Sequence, residues 1–118
     1  MLNGTNNIKL NNLKIIMIDI TIIMTVRNSQ NYISQAIESV LIQSYKKFEF
    51  IIIDDFSNDA TNKIIKDYKK KDQRIKLIRN SKKIGPAISR NKAIKLAKGR
   101  WIAIIDSDDV FFPKKKNF

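Results

Sequence analysis

The residues of this chain best equipped for chemistry are two acidic runs, Asp54-Asp55 and Asp106-Ser107-Asp108-Asp109, which hold five of its nine aspartates. Three carboxylates within four residues repel one another, and a divalent cation offsets that repulsion while bridging the phosphates of a nucleotide. Aspartate also closes turns and caps helices. For Asp54-Asp55 that structural role weighs evenly against chemistry, and Asp109 ahead of Pro113 could serve as a helix cap. What the chain lacks narrows the options further. None of its 118 residues is Cys or His. Thiolate nucleophiles, imidazole bases, disulfides and zinc ribbons are therefore excluded within this stretch. A bound metal must sit among oxygen ligands, which selects hard cations such as Mg²⁺, Mn²⁺ or Ca²⁺. Acid–base work falls to carboxylates, Lys or Tyr.

The formal net charge of +12 invites a polyanion partner. However, 23 Ile, 18 Lys and 12 Asn make up 53 of the 118 residues, and AT-rich codons encode all three types. The charge is read first as composition. A basic nucleic-acid-binding protein stays as the alternative, disfavoured because no aromatics interleave with the basic runs. The most apolar stretch, Leu13 to Val26, is 14 residues long and carries Lys14 and Asp19, whereas a spanning helix needs about 20 apolar residues. Residues 1–18 read as a loose polar leader and lead-in.

The elements that must position the acidic runs follow from apolar periodicity. Ile20 to Val26 predicts a buried β-branched strand. Asn28 to Asn31 offer cap oxygens, and Ile33, Ala36, Ile37, Val40 and Leu41 form one face of a helix. Phe48 to Ile53 predicts a second strand ending in Asp54-Asp55. Ser57, Asn58 and Asp59 can cap a second helix, whose apolar face is Ala60, Ile64, Ile65 and Tyr68. Ile75 to Ile78 predicts a third strand, Gly85-Pro86 a turn, and Ala87 to Lys98 a third helix stopped by Gly99. Trp101 to Ile105 predicts a fourth strand, ending at Asp106. Trp101, Tyr32 and Tyr45 are expected to be packing residues. The order β-α-β-α-β-α-β predicts an α/β fold, a mainly parallel sheet with helices on both faces. Ligands of such sheets bind beyond the carboxyl ends of the strands, where Arg27-Asn28, Asp54-Asp55 and Asp106 to Asp109 converge. A receiver-like signalling domain fits less well, because its acidic pair would follow the first strand.

Read together, ITIIMTVRN, YISQAIESVLIQSYKKFEFIIIDDFSNDAT and RNSKKIGPAISRNKAIKLAKGRWIAIIDSDDVFFP resemble the inverting family 2 nucleotide-sugar glycosyltransferases of GT-A fold, over residues 19–118. The resemblance implies a Rossmann-like, N-terminal donor-binding part of such a domain. It implies that Thr25, Val26 and Arg27 border the nucleotide base, with Thr25 in place of the usual proline and Arg27 in place of the usual aromatic. Asp55 would hydrogen-bond the uracil edge. Phe56 stands where the family commonly has glycine, which implies crowding or an altered backbone angle. Arg90, within Ser89-Arg90-Asn91, would pair with phosphate or an acidic group. Asp106-Ser107-Asp108 matches the DXD motif: Asp106 at the ribose, Asp108 on Mg²⁺ or Mn²⁺, and Ser107 beside the nucleotide.

The implied activity is sugar transfer from a nucleotide-sugar, UDP-linked by the resemblance, to a glycan or lipid acceptor in cell-envelope polysaccharide synthesis. Inversion requires a carboxylate base, expected beyond Phe118, so a truncated copy with weak or no activity alone is the expectation. A partner chain completing the fold is a further expectation. No specific nucleic-acid partner is expected. The absence of Cys fits a reducing, cytoplasmic setting. The runs Lys69-Lys70-Lys71 and Lys114-Lys115-Lys116 allow a peripheral contact with the inner face of the membrane as the lesser option.

Overall fold

The computed structural model describes residues 18–106 of the chain. Within them the strands are β1 (Ile20–Val26), β2 (Phe48–Asp54), β3 (Ile75–Arg79) and β4 (Trp101–Asp106), and the helices α1 (Ile33–Leu41), α2 (Thr61–Lys71) and α3 (Pro86–Leu96). The strands form one parallel sheet in the order β3-β2-β1-β4. This is the predicted α/β architecture.

The register explains the sequence pattern. Parallel strands buried on both faces read as continuous apolar runs, and every residue of β2 is buried. Alternate residues serve opposite layers. Ile22, Met24, Val26, Phe50 and Ile52 pack with Ile33, Ala36, Ile37 and Val40 of α1 and Ile65 of α2. Ile23, Ile51 and Ile53 pack against Ala93 of α3. Full burial of such an isoleucine contributes about 2 kcal/mol relative to exposure. The small Ser89 and Ala93 are the fully buried residues of α3 and let the helix sit close to the sheet.

Several local expectations change. α3 ends at Leu96, two residues before the predicted Lys98, and Ala97 is already extended at φ −65°, ψ 136°. Gly99 is therefore not the helix stop. It lies against β1, where an added Cβ would stand 2.5 Å from the Thr21 nitrogen and 2.7 Å from the Ile20 carbonyl carbon. Trp101, Tyr32 and Tyr45 are 69%, 55% and 42% exposed and do not pack in the core. Trp101 opens β4, which ends the sheet among the described residues, so it lacks the second neighbouring strand that buries β1 and β2. Ile102 and Ile104 of the same strand are likewise exposed.

The predicted cap of α1 is also rearranged. No side chain caps that helix; the Ser29 carbonyl accepts the N–H groups of Tyr32 and Ile33. The polar residues of the β1–α1 loop serve the neighbouring loop instead. Asn28 Oδ1 accepts the Asn58 N–H at 2.9 Å, and Gln30 Oε1 accepts the Ala60 N–H at 3.0 Å. In return Ser57 Oγ, Thr61 Oγ1 and Asp59 Oδ2 accept the N–H groups of Asn28, Ser29 and Gln30. The loops after β1 and β2 thus satisfy each other's orphan donors.

Candidate functional site at the carboxyl ends of β1 and β2

The two adjacent aspartates at the end of β2 do different things. Asp54 is fully buried. Its Oδ1 accepts the Ser57 N–H at 3.0 Å, its Oδ2 accepts the Asn62 side-chain amide at 2.8 Å, and Arg79 Nε stands 3.7 Å away. Turn closure and helix support account for it. The following residues confirm a sharp reversal: Phe56 has φ 61°, in the left-handed region that glycine tolerates best. Phe56 thus takes a glycine-like backbone angle despite its side chain. The Arg79 guanidinium lies 5.0 Å from its ring centre and donates to the Ser57 carbonyl at 2.8 Å.

Asp55 faces the opposite way, into a cleft of about 220 Å³ lined by Thr25, Val26, Arg27, Asp55, Lys83 and Pro86. Its backbone N–H donates to the Val26 carbonyl at 2.8 Å, which continues the β1–β2 pairing. Its Oδ1 accepts Asn80 Nδ2 at 2.9 Å and the Ile84 N–H at 2.8 Å, and its Oδ2 accepts the Gly85 N–H at 2.9 Å. Burial pushes this carboxyl up, but the donors of Ile84, Asn80 and Gly85, with the charge of Arg27, outweigh it and hold it below the ordinary range. A carboxylate offers about four lone-pair sites. With three donors placed, one acceptor position on Oδ2 is left for a ligand.

The third wall is the start of α3. Gly85 has φ 94°, and Pro86 occupies the first turn, where its missing N–H costs nothing. Lys83 lies just before this helix start and, with Arg27, gives the cleft two cations beside its carboxylate. A ligand carrying both an N–H donor and negative charge suits that arrangement.

Of the residues singled out in the sequence, Thr25, Val26, Arg27 and Asp55 come together in the cleft. Asp106 ends β4 and is paired in register with Thr25, so it shares the same sheet edge, exposed and outside the cleft lining. Arg90 lies on α3, also outside the lining, with its Nε buried and lacking a hydrogen-bond partner. Ser107, Asp108, Asp109, Pro113 and Lys114 to Lys116 fall outside the described residues. Among the described residues no group of three acidic side chains could hold a metal, and Asp108, the expected metal ligand, lies outside them. No helix among the described residues is long and apolar enough to cross a membrane. Sequence reasoning missed Asn80, Lys83 and Pro86. The available signal was the Gly85-Pro86 helix start, since helix N-termini gather anions.

Comparison with known proteins agrees with this geometry. The family model of glycosyl transferase family 2 matches residues 21–116. An uncharacterized glycosyltransferase, MJ1057 of Methanocaldococcus jannaschii, is 41% identical over 98 residues, covering 81% of this chain and 34% of the relative. WfaP of Escherichia coli, a UDP-Glc:α-D-GlcNAc-diphosphoundecaprenol β-1,3-glucosyltransferase, is 46% identical over 81% of this chain and 38% of its own. Staphylococcus aureus TarS 1–349, solved in complex with UDP-GlcNAc, superposes with a TM-score of 0.76 at 29% identity, over 84% of this chain and 29% of TarS. The chain spans between 14% and 38% of the length of the curated relatives it matches. A parallel sheet with a carboxylate-bearing cleft at its carboxyl edge, and a family model spanning residues 21–116, lead to one assignment: the chain belongs to glycosyl transferase family 2.

Proposed function

We propose that this chain carries the donor-binding part of a glycosyltransferase that takes a UDP-sugar and passes its sugar to a glycan or lipid acceptor in cell-envelope polysaccharide synthesis. The observation that carries the reading is the Asp55 carboxylate, buried, ionised and left with one acceptor position in the cleft. That position takes the ring N–H of uracil. Arg27 covers the base through its planar guanidinium, with Thr25 and Val26 as the floor. Lys83 is set to meet the negative diphosphate. Asp106 meets the ribose, Ser107 lies beside the nucleotide, and Arg90 offers its buried Nε to phosphate or to an acidic group.

Asp108 is the residue proposed to hold Mg²⁺ or Mn²⁺, which neutralises charge on the departing diphosphate. The acceptor hydroxyl needs a carboxylate base, which we place beyond Phe118. In this reading the 118 residues alone bind donor and transfer sugar weakly or not at all. A basic protein that binds nucleic acid is the rival.

Calorimetry with UDP and Mn²⁺ tests the reading. Wild type is expected to bind, and Asp108→Ala to lose about tenfold or more through the missing metal ligand. Equal binding by both removes the metal assignment. Absence of UDP binding, with nucleic-acid binding that falls steeply with salt, replaces the reading by its rival.

A further inference from the structure

The donors around Asp55 are themselves held by residues outside the cleft. Asn80 follows β3 and is buried, and its backbone N–H donates to the Asp54 carbonyl at 2.9 Å. Its side-chain Nδ2 donates to Asp55 Oδ1 at 2.9 Å and to Ser89 Oγ at 2.9 Å. The acceptor-only Asp55 carboxylate calls for the NH₂ end of the amide, and the hydroxyl of Ser89, both donor and acceptor, is indifferent. Lys92 makes the same choice from the other side. Its Nζ stands 2.6 Å from Asn80 Oδ1. An ammonium only donates, so the amide atom facing it must be oxygen. Turned over, the amide would set its oxygen against the Asp55 carboxylate and its NH₂ against the ammonium, two conflicts at once.

We propose that Lys92 and Asn80 are positioning residues for Asp55. Lys92 reinforces the sense of the Asn80 amide that Asp55 requires, and Asn80 so anchored occupies Oδ1 and leaves the open acceptor position on Oδ2 for the N–H of the ligand's base. The inference rests on reading Asp55 as the base-binding carboxylate. Neither residue lines the cleft. Lys92 lies at the surface, so its replacement leaves the core intact.

Calorimetry with UDP on the 118-residue chain tests it in wild type, Lys92→Met, Lys92→Arg, Asp55→Asn and Asp55→Asn with Lys92→Met. Lys92→Met is expected to weaken UDP about fivefold, and Lys92→Arg to restore most of that. In the Asp55→Asn background the same change is expected to alter affinity by less than about twofold, because the residues act through one another. Alongside, an NMR titration of the Asp55 carboxyl carbon needs no ligand. In Lys92→Met it is expected to move up toward an ordinary carboxylate. Equal losses with and without Asp55→Asn, or wild-type affinity in Lys92→Met, overturn the inference. If wild type fails to bind UDP, the nucleotide reading falls, and the titration decides the positioning role by itself. An Asp55 carboxyl unmoved by Lys92→Met then overturns that too.

Discussion

Buried carboxylates stand at both ends of strand β2, Glu49 near its start and Asp55 just past its last residue, and they are held in different ways. At its amino end Glu49 is 2% exposed and closes a lock. Its Oε2 accepts the Thr21 hydroxyl at 2.7 Å and the Lys98 N–H, while Thr21 Oγ1 in turn accepts the Gly99 N–H at 2.9 Å. Lys76 Nζ stands 3.9 Å from the other oxygen. That oxygen is buried and has no hydrogen-bond partner, and Glu49 lines a cleft of about 300 Å³ with Phe48, Arg74 and Lys76. At the carboxyl end Asp55 takes donors on both oxygens, from Asn80, Ile84 and Gly85, and lines the cleft beside Arg27 and Lys83. The bonds at Glu49 tie β2 to β1 and to the approach of β4, and so serve the fold, whereas those at Asp55 hold a carboxylate in the lining of the cleft at the carboxyl edge.

Breaking the amino end should cost most. Gly99→Ala places a methyl 2.5 Å from the Thr21 nitrogen, and backbone cannot yield as a side chain does. A loss of about 3 kcal/mol is expected, read as a lower urea midpoint. Glu49→Leu leaves the Lys98 N–H and the Thr21 hydroxyl without their acceptor, for about 2 kcal/mol in the same measurement. UDP affinity measured well below either midpoint should change little, which separates the two ends.

Asp55→Asn should have the smallest effect on stability, about 1 kcal/mol near neutral pH, and the largest effect on UDP. The pH dependence sharpens this. The native carboxyl lies below its ordinary range, so the unfolded chain binds the proton more readily. Asp55 therefore contributes stability that is fully present above about pH 4, the unfolded value, and is lost as pH falls through the lower native value. Urea unfolding of wild type and Asp55→Asn should accordingly converge in acid. A gap of constant size from neutral pH to acid would contradict the assignment.

Most of this layout was legible in the residues themselves. Continuous β-branched runs announce doubly covered parallel strands, and β1 and β2 begin at the predicted residues, as do β3 and β4. The convergence of Arg27, Asp55 and Asp106 on one edge followed from element order alone, and Asp106 is indeed registered beside Thr25. What the pattern could not show was partnership across the chain. Asn28 and Gln30 carry the right groups for an α1 cap, yet bond the next loop, some 30 residues away. Gly99 sits where a helix stop belongs, yet its role is set by Thr21, 78 residues earlier. Trp101 is apolar enough for a core, but burial depends on which strands flank it. Asn80 and Lys92 drew no notice, because an Asn and a Lys on a basic, Asn-rich chain look like surface until Asp55 is placed between them and the cleft.

The contact between Gly99 and Thr21 also acts as a ruler. It fixes β4 against β1 at one point, where Ile102 is paired with Thr21, and the strands then run together to Thr25 and Asp106. Four residues at about 3.3 Å each carry that alignment about 13 Å to the carboxyl edge. A slip of one residue would turn Asp106 to the other face of the sheet. The absence of a single methyl group at the far end therefore measures out where the acidic run begins.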